Sequence, residues 1–256
     1  MKAKELKILR KKIEKADRLP DPLPSLANGQ YGAYRLVDAD APSSLSYRLE
    51  TVDPPKDSSS ATLLPLKLYW ANSWREVAVF DEVVDLFHKN MGELYKQSSW
   101  GLNLEEKKEE LKHRKARFLI VTSEATTTST NDDSSDAKEN AGGDRIVAFC
   151  HYRFEFDDDQ YPTGIGLYLY EIQVAAAYQD AKIGSSLMEL LHDICRQAAM
   201  PKVLLTVFKQ NARAMAFYTK KLQYQIDEIS PSQNDNYADY EILSKPVEED
   251  DNTART

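Results

Sequence analysis

The chain has 256 residues, of which 42% are hydrophobic and 29% charged. That is the balance of a folded globular protein with room for a full core, as one large domain or two small ones. Its 33 Lys and Arg against 41 Asp and Glu leave a net charge of −8, which argues against a coat for nucleic acid, and no apolar run is long enough to span a bilayer.

Residues 1–18 hold eight Lys or Arg and three acids, so this segment is +5 and the remainder −13. Leu6, Leu9, Ile13 and Ala16 recur at helical spacing and predict a basic helix over residues 1–20. Such a helix serves either as an import or nucleosome-contacting arm, or as a stripe laid on the body with its charged face in water. Residues 21–75 form a lead-in. Residues 19–45 are rich in Pro, Asp and Ser and read as irregular, while 47–52 and 63–70 read as strands interrupted by the insertion DPPKDSSSA at 53–61. Residues 76–245 form the core region. Val77, Phe80, Val83, Val84, Phe87, Met91, Leu94 and Tyr95 predict a helix, followed by a short polar helix over 104–113 and a strand over 117–121. Residues 122–144 have almost no apolar side chains to offset ordering entropy and are expected to be disordered.

The pattern then predicts strands at 146–156 and 167–174, a helix at 183–200, a strand at 202–208, a helix at 211–222, and closing strands at 224–227 and 237–243. An acidic disordered tail is expected over 246–256. Early strands in succession and later strands alternating with helices indicate an α/β (mixed α+β) fold with a mixed sheet and helices packed on it. Cys150 and Cys195 cannot build a disulfide framework, and the four histidines His88, His113, His151 and His192 show no ligand spacing, so no metal is assigned. The first residues lack the apolar stretch of a signal peptide, and an intracellular soluble protein is expected.

The chemistry concentrates in 168–224. The strand LYLYEIQV runs into AAAYQDAKIGSS, which opens a long helix. A strand, a loop of small residues and a helix start present unpaired N–H groups and a positive dipole end to an anion. About thirty residues later a second strand ends and NARAMAFY begins another helix. The pair of motifs, Gln179-Asp-Ala-Lys182-Ile-Gly184 and Asn211-Ala-Arg-Ala-Met-Ala-Phe-Tyr218, resembles the GNAT superfamily of acetyl-coenzyme A-dependent N-acetyltransferases. The usual pattern has Gly where Lys182 stands. The segments YKQSSWG at 95–101, HYRF at 151–154, YLYEIQ at 168–173, LTVFKQN at 205–211, LQYQID at 222–227, SPS at 230–232 and YEILS at 240–244 are together similar to the N-terminal acetyltransferase D family. That family acetylates the α-amine of histones of type four and type two-A, which begin Ser-Gly-Arg-Gly.

The resemblance implies a GNAT fold with a central, mostly antiparallel sheet flanked by helices, and acetyl-coenzyme A as cosubstrate. It implies a cofactor site of Ile172, Gln173, Val174, Gln179, Asp180, Ala181, Lys182, Ile183, Gly184, Ser185, Asn211 and Tyr218, the last as an acid for the departing thiolate. Glu171 is the candidate base: an isolated acid in mid-strand, read either as catalytic or as part of a solvated sheet face. Tyr168 and Tyr170 share a face by the strand period, so Glu171 reaches them only if the strand bulges. The resemblance gives Tyr170 contact with the substrate backbone and an assisting part in proton transfer. It assigns Tyr95, Trp100, Tyr168, Thr206 and Tyr240 to the peptide pocket, where packing is the alternative for each aromatic. Glu155 and Asp157 match the acids that hold the tail, with Glu and Asp exchanged relative to the family. A carboxylate pair suits the planar guanidinium of the third histone residue. The expected partners are histone tails and coenzyme A, with no nucleic acid or membrane, in a monomer of the nucleus and cytoplasm. Two other readings stay open: a GNAT enzyme for lysine side chains or small amines, and an inactive GNAT module that binds histone tails.

Overall fold

The computed structural model describes residues 2–38, 46–52, 66–123, 145–158, 160–234 and 237–248. The insertion at 53–61, most of 122–144 and the tail beyond 248 lie outside the described residues. In chain order the elements are α1 (Ala3–Ala16), α2 (Leu23–Leu26), β1 (Gln30–Tyr31), β2 (Tyr34–Asp38), β3 (Ser46–Thr51), β4 (Leu66–Ala71), α3 (Phe80–Gln97) and α4 (Leu104–Leu111). There follow β5 (Arg117–Ser123), β6 (Arg145–Phe156), β7 (Ile165–Val174), α5 (Ile183–Gln197), β8 (Lys202–Phe208), α6 (Ala212–Ala216), β9 (Gln225–Ile226) and β10 (Tyr240–Pro246). The strands form one ten-stranded sheet in the order β1-β2-β3-β4-β5-β6-β7-β8-β10-β9. Every pair is antiparallel except β7 with β8.

Alternation along the central strands builds a core on each face of the sheet. Phe118, Ile120 and Phe149 pack with Val83, Val84 and Phe87 of α3 and Leu111 of α4. Leu119, Val121, Cys150 and Tyr152 turn the other way, towards Ile183, Leu187, Leu190 and Leu191 of α5. The basic helix α1 joins this second core through Ile13 and Ala16, and Arg117 donates to the Asp17 carbonyl oxygen at 2.6 Å. A narrow apolar stripe on a charged helix is therefore a packing surface here.

The lead-in is more ordered than its composition suggests. Within 19–45, a helical turn and strands β1 and β2 form, the two strands turning at Gly32 with φ +57°. Tyr34 and Leu36 are buried while Arg35 is exposed, and their pairing with Thr51 and Leu49 of β3 supplies the order. Thr122 and Ser123, read as the start of the insertion, instead complete β5 opposite Lys67 and Leu66. The helix predicted over 183–200 stops at Gln197, with Ala199 at φ +52°. The helix predicted over 211–222 breaks after Ala216 into a π-helical turn, Phe217–Lys221. Strand β10 runs from 240 to 246, three residues later than expected at each end.

The parallel pairing decides where a ligand fits. It joins only Leu167, Leu169 and Tyr168 of β7 to Val203, Leu205 and Leu204 of β8. Beyond Leu169 and Leu205 the strands part, and the residues 170–174 and 206–208 border an opening. Close approach before the split requires Gly166: a Cβ there would lie 2.7 Å from the Lys202 carbonyl oxygen and would clash with Leu204 Cδ1. Gly166→Ala is expected to destabilise the fold by about 1–3 kcal/mol through overpacking, read as a lower urea midpoint with an unchanged m-value.

Candidate active site

The opening leads into a cleft of about 1030 Å³ lined from α3, α4, β6, β7, β8, α6 and the start of α5. Its central feature is a bulge. His151 of β6 pairs with Glu171, whereas the next residue, Tyr152, pairs with Leu169, so Tyr170 is one residue too many in β7. One extra residue exchanges the two faces of everything downstream. Leu167 and Leu169 pack in the α5 core, and beyond the bulge Ile172 and Val174 take that side. Glu171 and Gln173 are thereby turned to the cleft with Tyr168. The bulge that the strand period demanded is present.

Glu171 is 5% exposed. Its Oε1 accepts from Lys107 Nζ at 2.9 Å and its Oε2 from Gln173 Nε2 at 2.8 Å, while Asn90 donates to Gln173 Oε1 at 3.0 Å. Lys107 also donates to Glu110 at 2.7 Å and lies over the rings of Phe87 and Tyr95. Burial raises the Glu171 carboxyl above its ordinary range, and Lys107 opposes that rise. Burial works against the Lys107 ammonium too, but Glu171, Glu110 and Tyr95 outweigh it and raise its pKa. His151, stacked between Phe118 and Tyr170, is fully buried, and burial with the nearby Arg153 drives its pKa well down, so it is neutral.

The side of the cleft towards β6 and β8 is aromatic and acidic. Tyr168 and Thr206 hydroxyls meet at 2.5 Å, and Tyr170 donates to Glu155 Oε2 at 2.6 Å under the guanidinium of Arg153. Burial raises Tyr168 to about 12, and burial together with Glu155 raises Tyr170, so both keep their protons at neutral pH. Tyr95 and Trp100 form an aromatic wall with Phe208, and Tyr240 packs on Trp100 at 5.2 Å behind it. Tyr240 does not itself line the cleft. Both expected acids border the cleft, but in different settings: Glu155 faces Tyr170, while the Asp157 side chain is buried and bound by its own turn and Lys202. Asp157 accepts from Thr163 N–H and Oγ1, and Lys202 Nζ stands 3.5 Å away. Burial opposes that charge, yet the hydrogen bonds from Gly164 and Thr163 and the Lys202 ammonium hold its carboxyl below the usual range. In this arrangement Asp157 shapes the turn.

At the other end, a 3₁₀ turn over Ala176–Tyr178 leads through Gln179 to the start of α5. Lys182 stands at its N-cap with φ +63° and Asp180 at φ +65°, so a lysine occupies the left-handed conformation that glycine adopts at lower cost. Tyr34 of β2 donates to the Ala181 carbonyl oxygen at 2.8 Å, which fixes the loop from behind; Ala181 accordingly lies outside the cleft. Arg213 reaches across from α6 to Gln179 at 2.6 Å and Asp180 at 3.0 Å, and Lys221 Nζ is 3.4 Å from Ser185 Oγ. No acid lies in the first turn of α5. Lys182, Arg213 and Lys221 with the helix dipole thus fit a diphosphate. Asn211 spends its side chain on the Ala214 N–H as the cap of α6. Tyr218, in the π-helical turn, is buried at the cleft wall, and burial raises its pKa.

Residues 95–224 match the family model of the GNAT acetyltransferases. The chain belongs to the GNAT acetyltransferase family. Acetyl-coenzyme A is the cosubstrate, and the cationic loop and parted strands of the cleft fit it. Three solved structures are similar in outline. The ribosomal-protein-S18-alanine N-acetyltransferase of Escherichia coli is 14% identical, spans 74% of this chain and 99% of its own, and has a TM-score of 0.41. Arabidopsis thaliana NAA60 with a bisubstrate analogue is 9% identical over 71% and 99%, with a TM-score of 0.46. The PaiA N-acetyltransferase of Thermoplasma acidophilum with coenzyme A is 13% identical over 70% and 98%, with a TM-score of 0.42.

Sequence reasoning missed Lys107, Glu110, Asn90, Arg213, Lys221 and Phe208, all of which line the cleft. A signal existed for two of them. Lys107 falls at i+3 from Leu104 and i−4 from Leu111, and Asn90 at i+3 from Phe87 and i−4 from Leu94, so each lies on the apolar stripe of its helix. The left-handed geometry at 182 makes a further prediction. Denaturation midpoints should rank Lys182→Gly at or above the native chain, by up to about 1 kcal/mol, and Lys182→Val clearly below it.

Proposed function

We propose that this GNAT enzyme acetylates the α-amine of protein N-termini, and that its substrates are histone tails of type four and type two-A beginning Ser-Gly-Arg-Gly. The observation that carries this reading is the juxtaposition, past the β7 bulge, of buried Glu171 with the Tyr170–Glu155 pair. The first is a base for an amine, the second an acid beside a narrow aromatic mouth. The motif resemblance over 95–101, 151–154, 168–173 and 205–211 supports the same substrate class.

An α-amine has a pKa of about 7.7–8.0 against about 10.4 for a lysine side chain, so a buried carboxylate suffices to deprotonate it near neutrality. Both Glu171 oxygens already accept one hydrogen bond, and the remaining lone pairs take the amine proton through a water in the cleft. Acetyl-coenzyme A supplies the acetyl group as a thioester. Backbone N–H groups along 172–174 polarise its carbonyl. The amine nitrogen attacks, the C–N bond forms as the C–S bond breaks, and the electron pair leaves on sulfur. Tyr218, protonated at neutral pH, offers the proton that makes the free thiol. No acyl-enzyme is required. Lys182 adopts the left-handed backbone conformation that suits the glycine of the usual pattern, which supports a working cofactor loop over an inactive binding module.

A Ser-Gly-Arg-Gly peptide with acetyl-coenzyme A is expected to gain one acetyl group on its α-amine, by tandem mass spectrometry. Glu171→Gln should lower kcat by about 10²–10⁴ with little change in peptide KM. Acetylation confined to an internal lysine would overturn the assignment. Recognition of the third residue gives a separate test. Glu155→Ala should raise the peptide KM by about tenfold or more at low salt and less at high salt, and should have little effect on a Ser-Gly-Ala-Gly peptide. Asp157→Ala should instead lower the melting temperature. Equal KM changes for both peptides would remove Glu155 from arginine recognition.

A further inference from the structure

Lys107 is a buried cation that the expected site did not include. The Asn103 side chain caps α4 by accepting from the N–H groups of Glu105 and Glu106, which fixes the register that turns Lys107 and Leu111 inward. The lysine side chain is 6% exposed and that of Glu171 4%. An ammonium is held at such depth by its charge partners or not at all. Its partners are the Glu171 carboxylate at 2.9 Å and the half-buried Glu110 carboxylate at 2.7 Å, with the rings of Phe87 and Tyr95, packed edge to face on each other, beside it.

We propose that Lys107 is a positioning residue for amine deprotonation: by bridging Glu171 and Glu110 it holds the Glu171 carboxylate as a single oriented anion at the cleft. This rests on Glu171 being the base. The orientation follows from geometry. Lys107 engages Oε1, and Gln173, itself held by Asn90, engages Oε2, so the carboxylate cannot rotate and its free lone pairs keep one direction.

The charge argument points the same way. Tyr95 faces Glu171 from α3, Tyr218 from the π-helical turn and His151 from the paired position on β6. Burial keeps all three neutral at pH 7, with Glu171 adding to that effect at both tyrosines. Lys107 and Glu110 of α4 are the charged groups that weigh most on Glu171, and they act in opposite senses. Lys107 favours the anion and Glu110 disfavours it. The base works only when deprotonated, so activity falls as pH drops through its pKa.

The test is the pH profile of kcat/KM for a Ser-Gly-Arg-Gly peptide at saturating acetyl-coenzyme A. Lys107→Met should move the acid limb to higher pH by about one unit or more and cut the rate at pH 7 about tenfold or more, with the KM for acetyl-coenzyme A unchanged. Lys107→Arg should return the limb towards its native place. Glu110→Gln should move the limb the other way, to lower pH, and this arm stands alone if Lys107→Met does not fold. A rate loss in Lys107→Met that is uniform across pH, or a Glu110→Gln limb that moves upward, would overturn the proposal while leaving Glu171 as the base. Glu171→Gln with native activity would bring down the base assignment and the proposal with it.

Discussion

One surplus residue in β7 organises this molecule. Without Tyr170 bulged out of register, the strand period would send Glu171 to the same side as Leu167 and Leu169, into the core under α5. A carboxylate there would have no partner and would be driven to its neutral form. With the bulge, the same carboxylate meets Lys107 and Gln173, and Ile172 and Val174 take over the apolar side. A single change of register therefore serves folding and chemistry at once. It sits beside the point where β7 leaves β8, so the reoriented side chains face the opening that the parting strands create.

The two ends of the cleft are polarised in opposite senses. At the α5 start, Lys182, Arg213 and Lys221 surround a helix N-terminus with no acid in its first turn. At the β6 end, Glu155 stands beside Tyr170, with Arg153 partly balancing it at 3.8 Å. That polarity suits an anionic donor at one end and, on the proposed function, a cationic acceptor at the other, with Glu171 between them. The hydroxyls near the middle are already engaged, Tyr168 with Thr206 and Tyr170 with Glu155. They keep their protons at neutral pH.

Support for this site comes from distant chain segments. Tyr34, in a lead-in whose composition reads as irregular, holds the Ala181 carbonyl and with it the loop before α5. Ser99 donates to Asp239 through both its N–H and its hydroxyl, tying the Trp100 wall to the segment before β10. Gln210 donates to the Leu94 carbonyl oxygen, joining α3 to the turn after β8. These contacts link pieces more than a hundred residues apart, so the mouth of the cleft depends on the fold as a whole.

Much of this was legible in the chain itself. Local periodicity is a property of neighbouring residues, and it located α1, α3, α5, β6, β7 and β8 to within a few positions. The Gln179–Gly184 and Asn211–Tyr218 motifs and the mid-strand Glu171 all fall on the cleft. What the chain could not announce depends on partners far away in sequence. Strand β2 is ordered by pairing with β3 and carries β1 on its other edge, Asp157 is engaged by a turn six residues on, and Tyr240 backs the wall instead of facing the cleft. Lys107 stands in the polar run EEKKEE, and only tertiary packing sets it against Glu171 of β7. Periodicity says which face of a helix is turned inward; only the assembled sheet decides what that face meets, and here it meets a carboxylate.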